Sequence, residues 1–520
     1  MIRGKSLTVC LALLLSACSL PSDFQREPTT ALTATHDTIL AESIAPLLTD
    51  KGGQSGVYPL GNGLDAFVAR LGVATVAERS IDLQYYLFHD DDTGRLLAAH
   101  LLQAADRGVR VRLLLDDMDM AGRDADLASL ALHPNISIRL FNPFPSRTLR
   151  YLDFITHFGT VTRRMHNKSF TVDNQATIVG GRNIGDEYFE AASGMNFGDM
   201  DVLAVGPIVQ KVSAAFDLYW NSELAYPVSA FGAGERPDLL ERARDHLNGY
   251  MKELPDTRYG QRLKASGLVA TLERGNLGLL WGEAKLLYDL PEKVVTDPDD
   301  RNTHLGPELL ELVQAVEQDL ILVSPYFVPG EEGTTLLSDL VANGRRVTVL
   351  TNSLAATDVP AVHAGYARYR KALLEAGVEI YEMPPNPVTE DSSKGRFGSS
   401  NSSLHAKTLV FDGESVVVGS MNLDPRSSLL NTEMGILIES QEFAEEIARW
   451  RDETLPKFAW RVALDASETS AQGTKSKPRM AWIIEKNGQQ VVRFDKEPEA
   501  SFWAKFQVAI ARLLPIEKQL

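Results

Sequence analysis

The sequence predicts an α/β protein made of two similar halves, each a mixed β-sheet flanked by helices. Two observations predict it. A strand-helix-strand order at Ile81–Phe88, Leu96–Arg107 and Val109–Leu115 recurs at Leu320–Pro329, Thr334–Ala342 and Arg346–Asn352, with RGVRVRLL matching NGRRVTVL in pattern. A block reading HNKSFTVDNQATIVGGRN also returns as HAKTLVFDGESVVVGSMN, and Tyr86 precedes His166 by nearly the interval that separates Tyr326 from His405. The 520 residues, 44% hydrophobic and 23% charged, suit a folded enzyme rather than a disordered or polytopic membrane chain. The 52 Lys+Arg against 69 Asp+Glu give a net charge of −17, which argues against a broad grip on nucleic acid phosphates. An anionic substrate has to be met by local positive charge.

At the N-terminus, Arg3 and Lys5 precede an apolar run, Leu7–Leu15, too short to span a bilayer, and small residues follow. Residues 1–17 therefore read as an export signal. Leu15-Ser16-Ala17-Cys18 resembles a bacterial lipoprotein cleavage box, which implies a lipid-modified Cys18 at the mature N-terminus; the alternative is an ordinary secretory signal with Cys18 there by chance. Ser19 rather than Asp after the cysteine implies, in that resemblance, sorting to an outer membrane. The expected location is the cell envelope, lipid-anchored and facing the periplasm. Cys10 and Cys18 are the only cysteines, so a structural disulfide or cysteine metal site is not expected in the body of the protein.

Residues 18–58, rich in Thr, Ser, Pro and Gly, read as a flexible tether. The first half then runs over 59–230, a helical charged connection over 231–300, the second half over 301–456, and a smaller C-terminal segment over 457–520. In that segment Phe502, Phe506, Ala509 and Leu513 share one helical face, which is expected to pack on the body.

Each repeated block is H-x-K followed after four residues by Asp: His166, Lys168 and Asp173, then His405, Lys407 and Asp412. The runs KSFTVD and ATIVGG flank Asn174-Gln175, and KTLVFD and SVVVGS flank Gly413-Glu414, so each block reads as a hairpin. Residues i and i+2 share a strand face, which puts each imidazole beside an ammonium suited to phosphate. The odd spacing of Asp173 and Asp412 places them nominally on the other face, where they read as structural.

These blocks resemble the two HKD motifs of the phospholipase D superfamily, and the resemblance covers about residues 60–460. It implies two pseudo-symmetric halves whose hairpins meet at one active site, a catalytic set of His166, Lys168, Asp173, His405, Lys407 and Asp412, and two-step phosphoryl transfer through a phosphohistidine with no metal or other cofactor. The family's order makes His166 the nucleophile and His405 the acid/base, although pseudo-symmetry leaves the reverse assignment open. Lys168, Lys407, Asn183 and Asn422 are then the phosphate-binding groups. Asp199 and Glu433 occupy the places of the histidine-orienting acids, with Asp201 a competitor for the first. Arg163, Arg164, Arg182 and Arg426 flank the motifs as candidates to meet an anionic headgroup. The remaining histidines, His157 and His363 among them, have no H-x-K context and suggest no metal cluster. The Gly- and Ser-rich stretch before His405, through Ser399–Ser403, is either a lid or a linker.

The segments RRMHNK, GGRNIGDEYF, SPYFVPG and LHAKTLVFDGESVVVGSMNLDPRS are similar to bacterial cardiolipin synthases of the type without N-terminal transmembrane helices. The implied reaction moves a phosphatidyl group from phosphatidylglycerol or phosphatidylethanolamine to the glycerol hydroxyl of phosphatidylglycerol, at a membrane surface and without nucleic acid. Hydrolysis to phosphatidic acid is the alternative, followed by a nuclease and a non-catalytic lipid-binding scaffold.

Overall fold

A computed structural model describes residues 20–192, 196–232, 237–273, 277–385, 402–465, 479–486 and 489–511. The signal segment, Cys18 and Leu513, and with them most of the stretch before His405, lie outside the described residues.

In the first half the strands are β1 (Ser55–Leu60), β2 (Ser80–Tyr85), β3 (Arg110–Asp116), β4 (Ile136–Phe141), β5 (Ser169–Val172), β6 (Ala176–Gly180), β7 (Asn196–Gly198), β8 (Asp201–Val205) and β9 (Ala225–Pro227). The second half contributes β10 (Leu280–Tyr288), β11 (Asp319–Val323), β12 (Arg346–Asn352), β13 (Glu379–Met383), β14 (Ser402–Leu404), β15 (Thr408–Phe411), β16 (Ser415–Gly419), β17 (Met434–Glu439) and β18 (Trp460–Leu464), and β19 (Met480–Lys486) and β20 (Gln489–Phe494) follow. Pairing runs β9-β4-β3-β2-β5-β6-β8-β1 and continues β10-β17-β16-β15-β11-β12-β13-β18-β19-β20. The second series repeats the first outward from the β1·β10 pair, so the sequence repeat is a structural one. In each half the strands joined by helices (β2, β3, β4 and β11, β12, β13) are parallel, and the hairpin strands are antiparallel, as crossover connections require.

Glycine makes the central junction possible. A Cβ at Gly56 would sit 2.9 Å from the Trp281 ring, and one at Gly282 only 2.0 Å from the Glu439 carbonyl oxygen. One apolar core then packs Val179, Met200, Val202 and Ala204 of the first half with Val416, Val418, Ile436 and Ile438 of the second, which fixes the two hairpins together.

Three expectations change. Residues 20–58 are not a free tether: Ile39–Leu48 is a helix, and β1 pairs with both β8 and β10. Asn221 and Asp217 accept the Thr29 and Ala31 amides at 3.1 and 2.8 Å, and the Arg26 guanidinium lies over the touching rings of Phe24 and Tyr226 at 4.5 and 4.6 Å. The connection 231–300 is helical over Pro237–Glu253, Arg258–Lys264 and Gly267–Glu273, but it also contains β10, which is a central strand. The terminal helix Phe502–Ala511 packs through Val508 against Leu354 and Ala364, while Phe502 and Phe506 are 74% and 47% exposed rather than buried.

Candidate active site

Each H-x-K run enters the sheet just ahead of a hairpin strand, and the motif aspartate holds that hairpin in place. Asp173, at φ 51°, accepts the backbone N–H groups of Glu78, Arg79 and Ser80 at 3.0, 2.7 and 2.9 Å. Asp412, at φ 55°, does the same for Glu317, Gln318 and Asp319 at 3.0, 2.7 and 2.9 Å. These two residues, counted with the catalytic set by resemblance, tie the turn to the start of β2 and of β11. Their place in the motif is architectural.

The two halves exchange partners at the site. The His166 N–H donates to Thr432 O at 2.8 Å, which sets its ring beside the next residue, and His166 Nδ1 lies 2.8 Å from Glu433 Oε2. In the same way the His405 N–H donates to Gly198 O at 2.7 Å, β14 runs parallel to β7, and His405 Nδ1 lies 2.5 Å from Asp199 Oδ2. Each imidazole is therefore oriented by the carboxylate of the opposite half. With Nδ1–H donated to a carboxylate, the Nε2 lone pair is left for chemistry. Lys168 Nζ donates to His166 O at 2.6 Å, and Lys407 Nζ donates to His405 O and lies 2.8 Å from His405 Nδ1. The edge of Tyr86 meets His166 at 5.1 Å between centroids, and Tyr188 and Phe197 enclose His405 at 5.2 and 5.1 Å.

Burial governs the charge states. It pushes His166 down to about 4, against the upward pull of Glu433. Burial, then Lys407, also holds His405 below its ordinary value. Lys168 falls to about 7 through burial, with Lys407 adding to the fall, and Lys407 falls to about 8 through burial. Burial works to raise Glu433 and Asp199, yet both stay below their ordinary values, Glu433 through His166 and Lys168, and Asp199 through His405 and Lys407. Each motif feels the lysine of the other, so the two form one electrostatic unit. At neutral pH it holds neutral imidazoles beside carboxylate anions, with ammonium groups whose charge an anionic phosphodiester would strengthen.

The glycines of the blocks are forced by these contacts. A Cβ on Gly180 would lie 2.2 Å from Asp201 Oδ1, and one on Gly419 2.3 Å from Met434 O. The next position differs between halves. A Cβ on Gly181 would fall 2.2 Å from Asp199 Oδ1, whereas its counterpart Ser420 donates its hydroxyl to Glu433 Oε2 at 2.6 Å.

Asp199, not Asp201, meets a histidine: Asp201 pairs with the buried Arg70 at 2.9 Å and with Arg182 at 3.3 Å. Asn183 accepts the Leu87 N–H at 3.2 Å and donates to Tyr188 Oη at 2.9 Å, which makes it a support for the wall around His405. Asn422 is buried, and its Oδ1 has no protein hydrogen-bond partner. Arg164 and Arg182 are fully buried on backbone carbonyls and on Asp116 and Asp201, so they are not landing points for a headgroup. Arg163 and Arg426 are partly exposed, donating to Thr296 O and Thr162 O.

His363 is buried against Glu497 at 3.3 Å, and His157 is 3.5 Å from Asp153. His89, given no special role by its sequence context, comes together with Asp91 and Glu187, one ligand atom of each lying within 4.8 Å of the others. The Glu187 contact raises the His89 pKa, as in a protonated histidine held by carboxylates. Tyr188 and Phe197 are further site residues that no motif spacing singles out, Ser420 lies inside the repeated block without a role read from it, and the placement of Tyr86 was visible through its register with His166.

A family model described as "Cardiolipin synthase, PLD-like domain" matches residues 73–220 and 309–455. Cardiolipin synthase C of Escherichia coli (strain K12) is 43% identical over 92% of this chain and 99% of its own length. A cardiolipin synthase of Oceanobacillus iheyensis is 26% identical over 77% of this chain and 70% of its own. The crystal structure of phosphatidylserine synthase from Haemophilus influenzae superposes with a TM-score of 0.55 at 13% identity, covering 92% of this chain and 100% of that one, and shares the fold. Two copies of the domain, with both H-x-K blocks intact, place this chain in the phospholipase D-like cardiolipin synthase family.

Proposed function

We propose that this enzyme makes cardiolipin, transferring a phosphatidyl group from phosphatidylglycerol or phosphatidylethanolamine to the free glycerol hydroxyl of phosphatidylglycerol. The observation that carries the reading is the crossed pair of dyads, His166 with Glu433 and His405 with Asp199, beside two buried lysines. The likeness to cardiolipin synthases supports the choice of lipid.

In this reading His166 Nε2 attacks phosphorus, the bond from phosphorus to the leaving alcohol breaks, and protonated His405 gives its proton to that oxygen. The bound anionic diester raises the His405 pKa toward the protonated form this step needs. In the second step His405 takes the proton of the acceptor hydroxyl, that oxygen attacks phosphorus, and the phosphorus–nitrogen bond breaks to release His166. Lys168 and Lys407, with Asn422, stabilise the charge on the non-bridging oxygens. Water admitted in place of the acceptor alcohol gives phosphatidic acid, so exclusion of water decides between transfer and hydrolysis.

Mass spectrometry of lipids after incubation with phosphatidylglycerol, with and without phosphatidylethanolamine and with His166→Ala as control, tests the reading. Cardiolipin formed only by the intact enzyme supports it, and phosphatidic acid alone replaces it with a hydrolase.

We infer further that Cys18 is lipid-modified and holds the enzyme on the periplasmic side of the envelope, at the outer membrane. The sequence Leu15-Ser16-Ala17-Cys18-Ser19 supports this, and among the described residues no helix is long and apolar enough to cross a membrane. Cys18→Ser should release the protein from membranes; a variant still bound to them would place the anchor elsewhere.

A further inference from the structure

The segment between β4 and the first H-x-K block is built inside out. Its helices Arg150–Thr156 and Phe158–Val161 turn charged groups inward: Arg150 pairs with Asp117 at 2.9 Å, and Asp153, 1% exposed, accepts the Ser146 N–H at 2.8 Å. The large apolar side chains face outward. Tyr151, Ile155 and Phe158 are 64%, 77% and 50% exposed, and Leu149, Leu152 and Phe154 are also exposed. A surface helix in water normally shows the opposite arrangement, and a contiguous apolar patch of this kind marks a site of contact. The patch is held firmly, since Phe144 packs against both Phe154 and the Arg150 guanidinium, and Asn142 Nδ2 donates to Thr160 O and Arg163 O at 3.0 and 2.7 Å.

We propose that this knuckle, residues 149–158, inserts into the lipid leaflet and seats the active site on the bilayer. The proposal rests on the reading that phospholipids are the substrates. Three observations favour a bilayer over a protein partner. The knuckle leads directly into the site: Arg426 donates to Thr162 O, Thr432 N–H donates to Arg164 O at 2.9 Å, and Thr432 O in turn fixes His166. Six apolar side chains on one short segment fall well below the roughly 20 residues a side of a stable protein interface. With a net charge of −17, the chain as a whole gains nothing from electrostatic attraction to anionic lipid, so beyond the Cys18 anchor the seating of the site on the bilayer falls to apolar insertion. Tyr151 and the two phenylalanines are side chains suited to the level where headgroups meet acyl chains.

The test uses the full chain and two readouts. In Ile155→Trp, brominated acyl chains in phosphatidylglycerol vesicles should quench the added fluorescence, and in Ile39→Trp, exposed beside Glu78 at the start of β2, the end away from Tyr86 and His166, they should not. In Ile155→Asp, the ratio of activity on vesicles to activity on short-chain phosphatidylglycerol dispersed as monomers should fall about tenfold, the loss of one inserted side chain. Equal quenching at both positions, or an unchanged ratio, overturns the proposal. A change from dimer to monomer in Ile155→Asp by light scattering also overturns it and makes the patch an interface between copies. Quenching is independent of turnover, so a failure of the proposed reaction leaves the docking result readable.

Discussion

His166 and Glu433 lie in opposite halves of the chain, and His166 Nδ1 is nevertheless 2.8 Å from Glu433 Oε2; the reciprocal pair, His405 and Asp199, stands at 2.5 Å. Neither half can orient its own histidine. Glu433→Gln and Asp199→Asn keep the shape but favour the wrong tautomer, and each should lower kcat by about 10²-fold or more with little change in KM. The double variant should lose much less than the product of the two effects, because the groups act as a unit. Steady-state kinetics on purified proteins checks this, and independent, multiplicative losses would separate the dyads.

The roles of the two histidines are separable with a phosphodiester whose leaving group is p-nitrophenol, which needs no proton to depart. His405→Ala should still release p-nitrophenolate in a burst of about one equivalent and then stall as a phosphoenzyme, while His166→Ala should release none. The opposite pattern would exchange nucleophile and acid/base.

Titration of the buried lysines predicts the pH profile. In the free enzyme His166 stays neutral down to about pH 4, so the acid limb of kcat/KM should appear only as His166 takes up a proton near there. Lys168 loses its charge as pH rises through about 7 and Lys407 through about 8, and with the loss of the His405 proton that the first step needs they set an alkaline limb. A bound diester anion favours the charged lysine, so the limb in kcat lies at higher pH than that in kcat/KM. Lys168→Arg, charged throughout, should move the limb upward; an unmoved limb would assign it to His405.

The repeat and the hairpins were legible because each is written in local spacing, H-x-K, the turn residues and alternation along strands, whereas the two acids were legible only through the resemblance to the phospholipase D superfamily. The crossing was not. Glu433 reaches His166 through a bridge between Met165 and Thr432, and nothing in either block tells which acid meets which imidazole. The segment 20–58 misled for a different reason, since polar side chains of the helix Ile208–Trp220 and the residue after it bind its backbone amides, a form of anchoring with no hydrophobic period. Strand β10 was hidden within a charged connection because Glu283 and Lys285 alternate with smaller or apolar residues along a partly exposed strand. The terminal helix shows the limit of periodicity itself: it predicts a common face for Phe502 and Phe506, but not whether that face meets protein.

Asp173 gives a prediction about stability more than about chemistry. Asp173→Ala removes the acceptor for three backbone N–H groups and leaves a side chain at φ 51°, where alanine is strained. A loss of about 3 kcal/mol is expected from the unpaired amides and strain together. Activity per folded molecule should stay close to that of the parent at low temperature. Denaturant unfolding alongside turnover distinguishes this from a chemical role, in which activity would fall without loss of stability.

The one position where the blocks differ in their glycine pair makes the sharpest test of the packing argument. Gly181 has no room for a side chain, because a Cβ there would stand 2.2 Å from the Asp199 carboxylate that orients His405. Gly181→Ala should therefore displace Asp199, and its activity should resemble that of Asp199→Asn even though Asp199 is intact. Ser420, at the matching place, has room and uses it, donating to Glu433 Oε2 at 2.6 Å. Ser420→Ala loses one hydrogen bond to a carboxylate, worth about 1.5–3 kcal/mol, together with the acceptor of the Met434 N–H at 3.0 Å, and leaves the His166 contact in place. Its effect on kcat should be much smaller than that of Gly181→Ala, with the acid limb of kcat/KM moved because Glu433 is held less firmly as an anion. Equal damage at the two positions would mean that the Asp199 carboxylate yields more easily than the close approach requires.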